Sequence, residues 1–490
     1  MMPQQPAMPS LGLSLVPVVA LILLLAADVI AFGEDSSYGA NQIAMLLAAF
    51  IAGSIGMARG VQWKAISEAI GHSVSQAAEA ILLILMIGAL SGTWLIAGII
   101  PAFIHYGLQI LEPGIFLFAA CVICGLLSLA TGSSWGTVGT VGVALVGIGT
   151  ALGLSEGWIA GAIISGAYFG DKMSPLSDTT NIAAVVGGSD LFSHIRYMTL
   201  TTVPSLLIAL TVFLIAGFGG AAAADGVSTA FADEFGVAVF EAFNIHMGLF
   251  LSPVVIIFLI ARKVPAVPAL LIGTLLGAIT AVIFQPDVIR EAAGISDEAG
   301  GYALAAFKAC IQSMALDSAI STSNDMANAL LSSSGMAGML NTIWLILCAM
   351  VFGATMQATQ MLERITQAIL SGVQSTFGLV GRTVGTCLAF NIIASDQYLA
   401  IVVPGNMLKD AYPERDLAPE NLSRTLEDSG TVTSVLIPWN TCGVAQSGIL
   451  GVATWAYLPY CIFNWVSPLM TMTVAAVGFR IKRLSDVKAN

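Results

Sequence analysis

Apolar runs of roughly 20 residues, the length that crosses a hydrocarbon core about 30 Å thick, recur from one end of this chain to the other. The first covers Leu11–Phe32, and others follow at about 41–57, 81–104, 114–130, 137–153, 157–187, 197–219, 248–261, 264–284, 343–362, 376–394, 397–408, 429–450 and 457–480. Only 9% of the 490 residues are charged, against about a quarter in a soluble chain, too few to coat a surface facing water. An ordinary cytosolic enzyme, a nucleic-acid binder and a disordered protein are thereby excluded. The expectation is an all-α polytopic membrane protein of about 12–14 transmembrane segments, some of them short or interrupted. The first ten residues hold no Lys or Arg, and no small-residue cleavage site follows Phe32; a retained first span fits better than a signal peptide. The formal net charge of −12 argues against a polyanionic partner. The seven cysteines lie in or beside apolar segments and read as free buried thiols. The CxxC of Cys121 and Cys124 lacks the polar surroundings of a zinc or redox site and reads as helix packing.

Lys and Arg in short connections set orientation. Arg59 and Lys64, Arg196, Arg262 and Lys263, and Arg480, Lys482 and Arg483 form one set, with acid-biased connections over Gly219–Met247 and Gln285–Gly301 between them. Placing the basic set inside puts both termini in the cytoplasm. Sliding the chain by 262 residues superposes 88–98 on 350–360 and, without a gap, 129–142 on 391–404. The loop charges make these two copies inverted repeats, an arrangement of secondary transporters with discontinuous helices. The expected organisation is N-terminal spans over 1–80, a first transport half over 81–219, and linking spans over 220–342. A second transport half covers 343–484. The linking region ends in an amphipathic or re-entrant piece, Tyr302–Leu340, carrying Lys308, Asp317, Asn324 and Asp325.

Function should lie with residues that a lipid-facing helix would not hold, since an ionised side chain at membrane depth costs at least about 2.5–3.5 kcal/mol. Four interruptions qualify. In ATGSSWGTVGTVG (130–142), Ser133 and Ser134 mark a broken helix, while the recurring glycines also fit close helix contact. The strongest is GAYFGDKMSPLSDTTNIAA (166–184), where Gly170 and Pro175 bracket a break. It holds Asp171, Lys172, Ser174, Asp178, Thr179, Thr180 and Asn181. Carboxylates, hydroxyls and amide oxygens are the hard ligands that replace the hydration shell of a small alkali cation. The alternative is a polar loop joining two spans, and for Lys172 it is simple neutralisation of Asp171. FNIIASDQYLAIVVPG (390–405) places Ser395 and Asp396 in the slot facing Ser133 and Ser134. RTLEDSGTVTSVLIPWNTCG (424–443) supplies Asp428, Thr431 and Asn440, with Glu427 read as an ordinary loop acid. His72, His105, His194 and His246 fall near span ends and read as interfacial. No GxxxxGK[ST], HExxH or GxSxG occurs, so ATP-driven transport by this chain is not indicated and no cofactor is expected.

GSSWGTVGTVG (132–142), GAYFGDKMSPLSDTTN (166–181), SDQYLAIVVPGNM (395–407), EDSGTVTSVLIPWNTCG (427–443) and KVPAVPALLIGTLLGA (263–278) resemble the NhaC-type Na+/H+ antiporter family. The resemblance runs from about residue 10 to 484. It implies a multi-pass carrier of a prokaryotic cytoplasmic membrane, with an inverted-repeat architecture and driven by the proton-motive force. It also admits relatives of malate/lactate type that exchange a carboxylate together with Na+ and H+. The leading expectation is exchange of cytoplasmic Na+ for external H+ at a midplane site. Asp171 or Asp178, with Asp396 or Asp428 opposite, would hold either Na+ or protons. The competing readings are a carboxylate or amino-acid exchanger, using Lys172 or Arg382 for an organic anion, and a passive channel. The expected partners are the lipid bilayer and the two transported ions, with a homodimer left open.

Overall fold

Long apolar sequence without charge forms helix in this chain, and the polar interruptions form the places where helix stops. The computed structural model describes residues 8–32, 36, 38–222, 231–262, 264–294, 301–322, 328, 330–370 and 375–485. Its helices are, in the first half, α1 (Leu11–Phe32), α2 (Ala40–Ala58), α3 (Trp63–Gln76), α4 (Ala78–Ile96), α5 (Ile99–Ile110), α6 (Pro113–Thr131), α7 (Ser134–Ala151), α8 (Glu156–Met173), α9 (Asp178–Gly187) and α10 (Leu191–Phe218). There follow α11 (Phe231–Ala242), α12 (Met247–Ile260), α13 (Ala266–Phe284), α14 (Pro286–Ala293), α15 (Gly301–Ala315), α16 (Leu340–Ala358), α17 (Met361–Leu370), α18 (Thr376–Ile393), α19 (Leu399–Leu408), α20 (Pro419–Leu426), α21 (Thr441–Leu450) and α22 (Ile462–Val477). Among the described residues nine helices are long and apolar enough to cross a membrane: α1, α2, α4, α6, α7, α10, α13, α16 with its short lead-in from Gly335, and α18. Thr454–Tyr460 and α22 form a further pair, bent by 52° at a break. The fold is all-α and polytopic with discontinuous helices.

The 262-residue offset read from the sequence reappears in the helix boundaries. It carries α4 onto α16 at both ends, and an offset of 263 carries α9 onto α21. In both copies a long helix, a short helix, a second long helix, a break, two further helices and a second break come in the same order. The copies interlock. α4 packs on α13 and α15, while α16 packs on α2 and α3. The helix after the second break crosses over in each case: α9 packs on α19 and α20, and α21 on α7 and α4.

At the centre, α8 carries Glu156, Asp171 and Lys172, and every residue from Gly157 to Lys172 except Trp158 and Phe169 is buried. Its main partner is α6, approached through glycine. A Cβ at Gly166 would stand 2.1 Å from the Cys121 carbonyl oxygen, and one at Gly170 would stand 2.2 Å from that of Gly125. The buried Cys121 and Cys124 are free thiols in this contact. Helix propensity alone favours Ala over Gly by about 1 kcal/mol, whereas forcing a methyl group against rigid backbone costs about 1–3 kcal/mol. Gly170→Ala is therefore expected to lower the thermal midpoint of the detergent-solubilised protein; a rise would show that α6 can move aside.

The Tyr302–Leu340 segment consists of α15, a two-residue antiparallel pairing of Ser318–Ala319 with Ser332–Ser333, and a short turn of helix at Gly335–Gly338. It packs on α4. Lys263, Asn324 and Asp325 lie outside the described residues.

Candidate functional site

Each break exposes a helix start, and each start is capped by its own sequence. Gly132 ends α6 with φ +70°, and a Cβ there would stand 2.6 Å from the Leu176 backbone, so the two breaks of the first repeat touch at a residue that only glycine suits. Ser133 Oγ then accepts the Gly136 N–H at 3.0 Å, and Ser177 Oγ accepts the Thr180 N–H at 3.4 Å at the start of α9. In the second repeat Ser395 takes the left-handed conformation at φ 58°, and Asp396 Oδ1 accepts the Leu399 N–H at 2.8 Å. Asn440 Oδ1 accepts the Cys442 N–H at 3.0 Å and caps α21. The Thr441 N–H donates to the Ser395 carbonyl at 3.0 Å, joining those two breaks. Side-chain oxygen on the first free N–H groups is the usual way to start a helix.

These starts border one cavity of about 490 Å³, whose lining includes Ser133, Ser134, Asp171, Asp178, Thr179, Asp396 and Thr441. Asp171 is 5% exposed. Its Oδ2 accepts from the Ser134 N–H at 3.1 Å and the Ser134 hydroxyl at 2.7 Å, while Oδ1 has no hydrogen-bond partner among the described residues. Asp178 Oδ1 accepts the Thr179 N–H at 2.8 Å, and its Oδ2 accepts the Tyr398 hydroxyl. Three helix starts thus spend N–H groups on the protein's own carboxylates. Among the described lining residues none is Lys, Arg or His.

Two expectations need correction. Asp428 is not in this cavity: it is fully buried in a second cluster, where Lys172 Nζ is paired with its Oδ1. The hydroxyls of Thr201 and Ser467 also donate to that oxygen, each at 3.1 Å, and Arg424 Nε stands 3.9 Å from Oδ2. Lys172 therefore neutralises Asp428 and not Asp171, because successive side chains on α8 leave it in different directions. Among the described residues no three His, Cys, Asp or Glu side chains gather as a metal cluster, so a cation here would take one or two carboxylates plus hydroxyl and carbonyl oxygens.

The other site candidates hold the breaks in shape. Ser174 accepts the Leu176 N–H at 3.2 Å, and Thr180 donates to the Lys172 carbonyl at 3.0 Å. Asn181 Nδ2 bonds the carbonyls of Pro175 at 3.1 Å and Ser177 at 2.6 Å. Asn440 Nδ2 donates to the Asn391 carbonyl at 3.1 Å. Thr431 and Ser395 are buried with unpartnered hydroxyls, outside the cavity lining. His194 is not interfacial; it is fully buried with Nδ1 at 2.8 Å from Ser423 Oγ. Sequence reasoning missed Glu79 and Tyr398 as lining residues. Glu79 precedes the apolar course of α4 and looks like a flanking charge. Tyr398 lies two residues after Asp396, a proximity that was there to be read.

The broken helices of two interlocked repeats, meeting at a carboxylate-lined cavity, define a secondary carrier fold. The chain belongs to the Na+/H+ antiporter family, whose model matches residues 166–479. It is 36% identical over 451 residues to the malate-2H(+)/Na(+)-lactate antiporter of Bacillus subtilis, covering 92% of this chain and 91% of that one. It is 33% identical to the Na(+)/H(+) antiporter NhaC of Alkalihalophilus pseudofirmus, over 90% of each chain. It is also 33% identical to the arginine/ornithine antiporter ArcD of Halobacterium salinarum, over 96% of this chain and 93% of that one.

Proposed function

We propose that this protein exchanges cytoplasmic Na+ for external H+ across a prokaryotic cytoplasmic membrane, with both termini in the cytoplasm. The transport halves are 81–219 and 343–484, and the Na+ site is the cavity between their broken helices, at Asp171 with Ser134 and with Asp178 and Asp396 nearby. The observation that carries the reading is the buried carboxylate of Asp171, which borders the cavity and whose Oδ1 has no hydrogen-bond partner among the described residues. An anion so placed is costly in a low dielectric, so the site favours neutralisation, by a cation or by a proton, before the carrier changes sides. Mutual exclusion of the two ions couples the two fluxes. The protein needs no cofactor for this.

Exchange of an organic carboxylate with Na+ and H+, as in the name of the malate/lactate relative, is the second reading. Helix N-termini are the usual donors for such an anion. Here the N–H groups of Ser134, Thr179 and Leu399 are already engaged by Asp171, Asp178 and Asp396, which favours a cation at these helix starts. The deciding experiment is a pH-gradient assay in proteoliposomes with NaCl, KCl, LiCl, malate and lactate added in turn. NaCl alone should dissipate the gradient. A signal that appears only with an organic acid present would replace the first reading by the second.

A further inference from the structure

Asp171 and Lys172 are consecutive on α8 yet serve two compartments: Asp171 lines the cavity, and Lys172 points into the buried charge cluster behind it. That cluster contains a group the cavity does not explain. Glu427 opens the π-helical turn Glu427–Thr431 that continues α20, and it is fully buried. Among the described residues neither of its carboxylate oxygens has a hydrogen-bond partner, and the three guanidinium nitrogens of Arg424, one turn earlier, have none either. Arg424 instead lays its Cζ 4.6 Å over the Tyr197 ring. Lys172, Arg424 and Asp428 together carry one net positive charge. An ionised Glu427 brings the quartet to zero, and a protonated one leaves it at plus one. A buried carboxylate without donors is poorly held as an anion, whereas the neutral acid loses far less by burial.

We propose that Glu427 carries the transported proton at a place separate from the Na+ site, and that the two ions exclude each other across α8 by charge and not by sharing a ligand. Na+ arriving at Asp171 adds a positive charge beside a cluster that already has one. The O–H bond of Glu427 breaks, its electron pair stays on the carboxylate and the proton passes to water on the side to which the carrier is open. On the return, that bond re-forms as Na+ departs, so one positive charge replaces another and nothing is oxidised or reduced. The ionisable groups acting on Glu427 are Lys172 and Asp171 from α8, the neighbouring Asp428, and Cys387 from α18; Arg424 lies one turn earlier on the same stretch, and His194 from α10 acts on Lys172, Asp428 and Glu420. Asp178 begins α9, while α19 and α22 bring no ionisable side chain. The proposal rests on Na+ binding at Asp171.

The test uses the full-length protein in proteoliposomes with two readouts, counterflow of labelled Na+ at equal pH and uptake of Na+ driven by a pH gradient. Glu427→Gln, which copies the neutral acid in shape, should keep counterflow and lose gradient-driven uptake by roughly 100-fold, the scale of a removed proton-transfer group. Glu427→Asp should keep the coupled exchange with a displaced pH midpoint, and it decides the matter if the Gln variant does not accumulate. Coupling unchanged in Glu427→Gln, counterflow lost together with coupling, or an unshifted midpoint in Glu427→Asp would each overturn the proposal. Asp171→Asn serves as the separate control: if it retains counterflow, the Na+ reading of the cavity fails, and that result is distinct from any outcome at Glu427.

Discussion

Asp171→Asn is expected to abolish Na+-dependent proton movement in everted vesicles while leaving the amount of protein in the membrane unchanged. The amide keeps the shape of the carboxylate, and its oxygen accepts the same two bonds from the Ser134 N–H and hydroxyl. What disappears is the negative charge of a buried carboxylate whose second oxygen has no hydrogen-bond partner among the described residues. Truncating one member of a buried charged pair costs about 2–5 kcal/mol, and at 1.4 kcal/mol per factor of ten the middle of that range is roughly a 300-fold loss of Na+ affinity. Ser134→Ala makes a graded companion. It removes one hydroxyl donor, worth about 1 kcal/mol when buried, so its Na+ affinity should fall only several-fold. The sign with pH follows from exclusion: in the wild type, apparent Na+ affinity weakens as pH falls, because a proton on Glu427 leaves a net positive charge across α8 from the Na+ site. Wild-type exchange with asparagine at this position would remove Asp171 from the ion path.

How much of this was legible before any fold was known follows the physics of each feature. Helix content and the repeat were legible because both depend on local sequence: apolar length specifies the spans, and the 262-residue offset recurs in the boundaries of α4 and α16. The breaks were legible for the same reason, since Gly132, Pro175 and the polar residues beside them cannot continue a lipid-facing helix. Which acid faces which compartment was not. Asp171 and Lys172 are adjacent in sequence and separated in space by about 100° of helix rotation, so a pairing inferred from adjacency linked the wrong partners. Asp428 and Glu427 lie in a π-helical turn, whose extra residue per turn shifts every later side chain around the axis. No periodicity argument written for 3.6 residues per turn could have sent Asp428 to Lys172 and left Glu427 alone.

Lys172→Met is expected to be among the most destabilising single substitutions in the protein. Lys172 and Asp428 are both fully buried, and their ion pair joins α8 of the first repeat to the π-helical turn of the second. Ser467 on α22 receives a bond from Lys172 at 3.0 Å and returns one to Asp428, and Thr201 on α10 adds another, so four elements meet at one carboxylate. Removing the lysine leaves an anion with two neutral donors and with Arg424 no nearer than 3.9 Å. Breaking a buried pair from one side costs about 3–5 kcal/mol, enough to lower the thermal midpoint sharply or to prevent accumulation in the membrane. The double variant Lys172→Met/Asp428→Asn should recover most of that loss, since the penalty belongs to the stranded charge, not to the missing attraction. Melting the single and double variants by size-exclusion chromatography reads both effects in one series. A single variant as stable as the wild type would mean that the contact between the repeats is held by apolar packing alone; a double variant no better than the single would assign the loss to the volume of the lysine stem rather than to its charge.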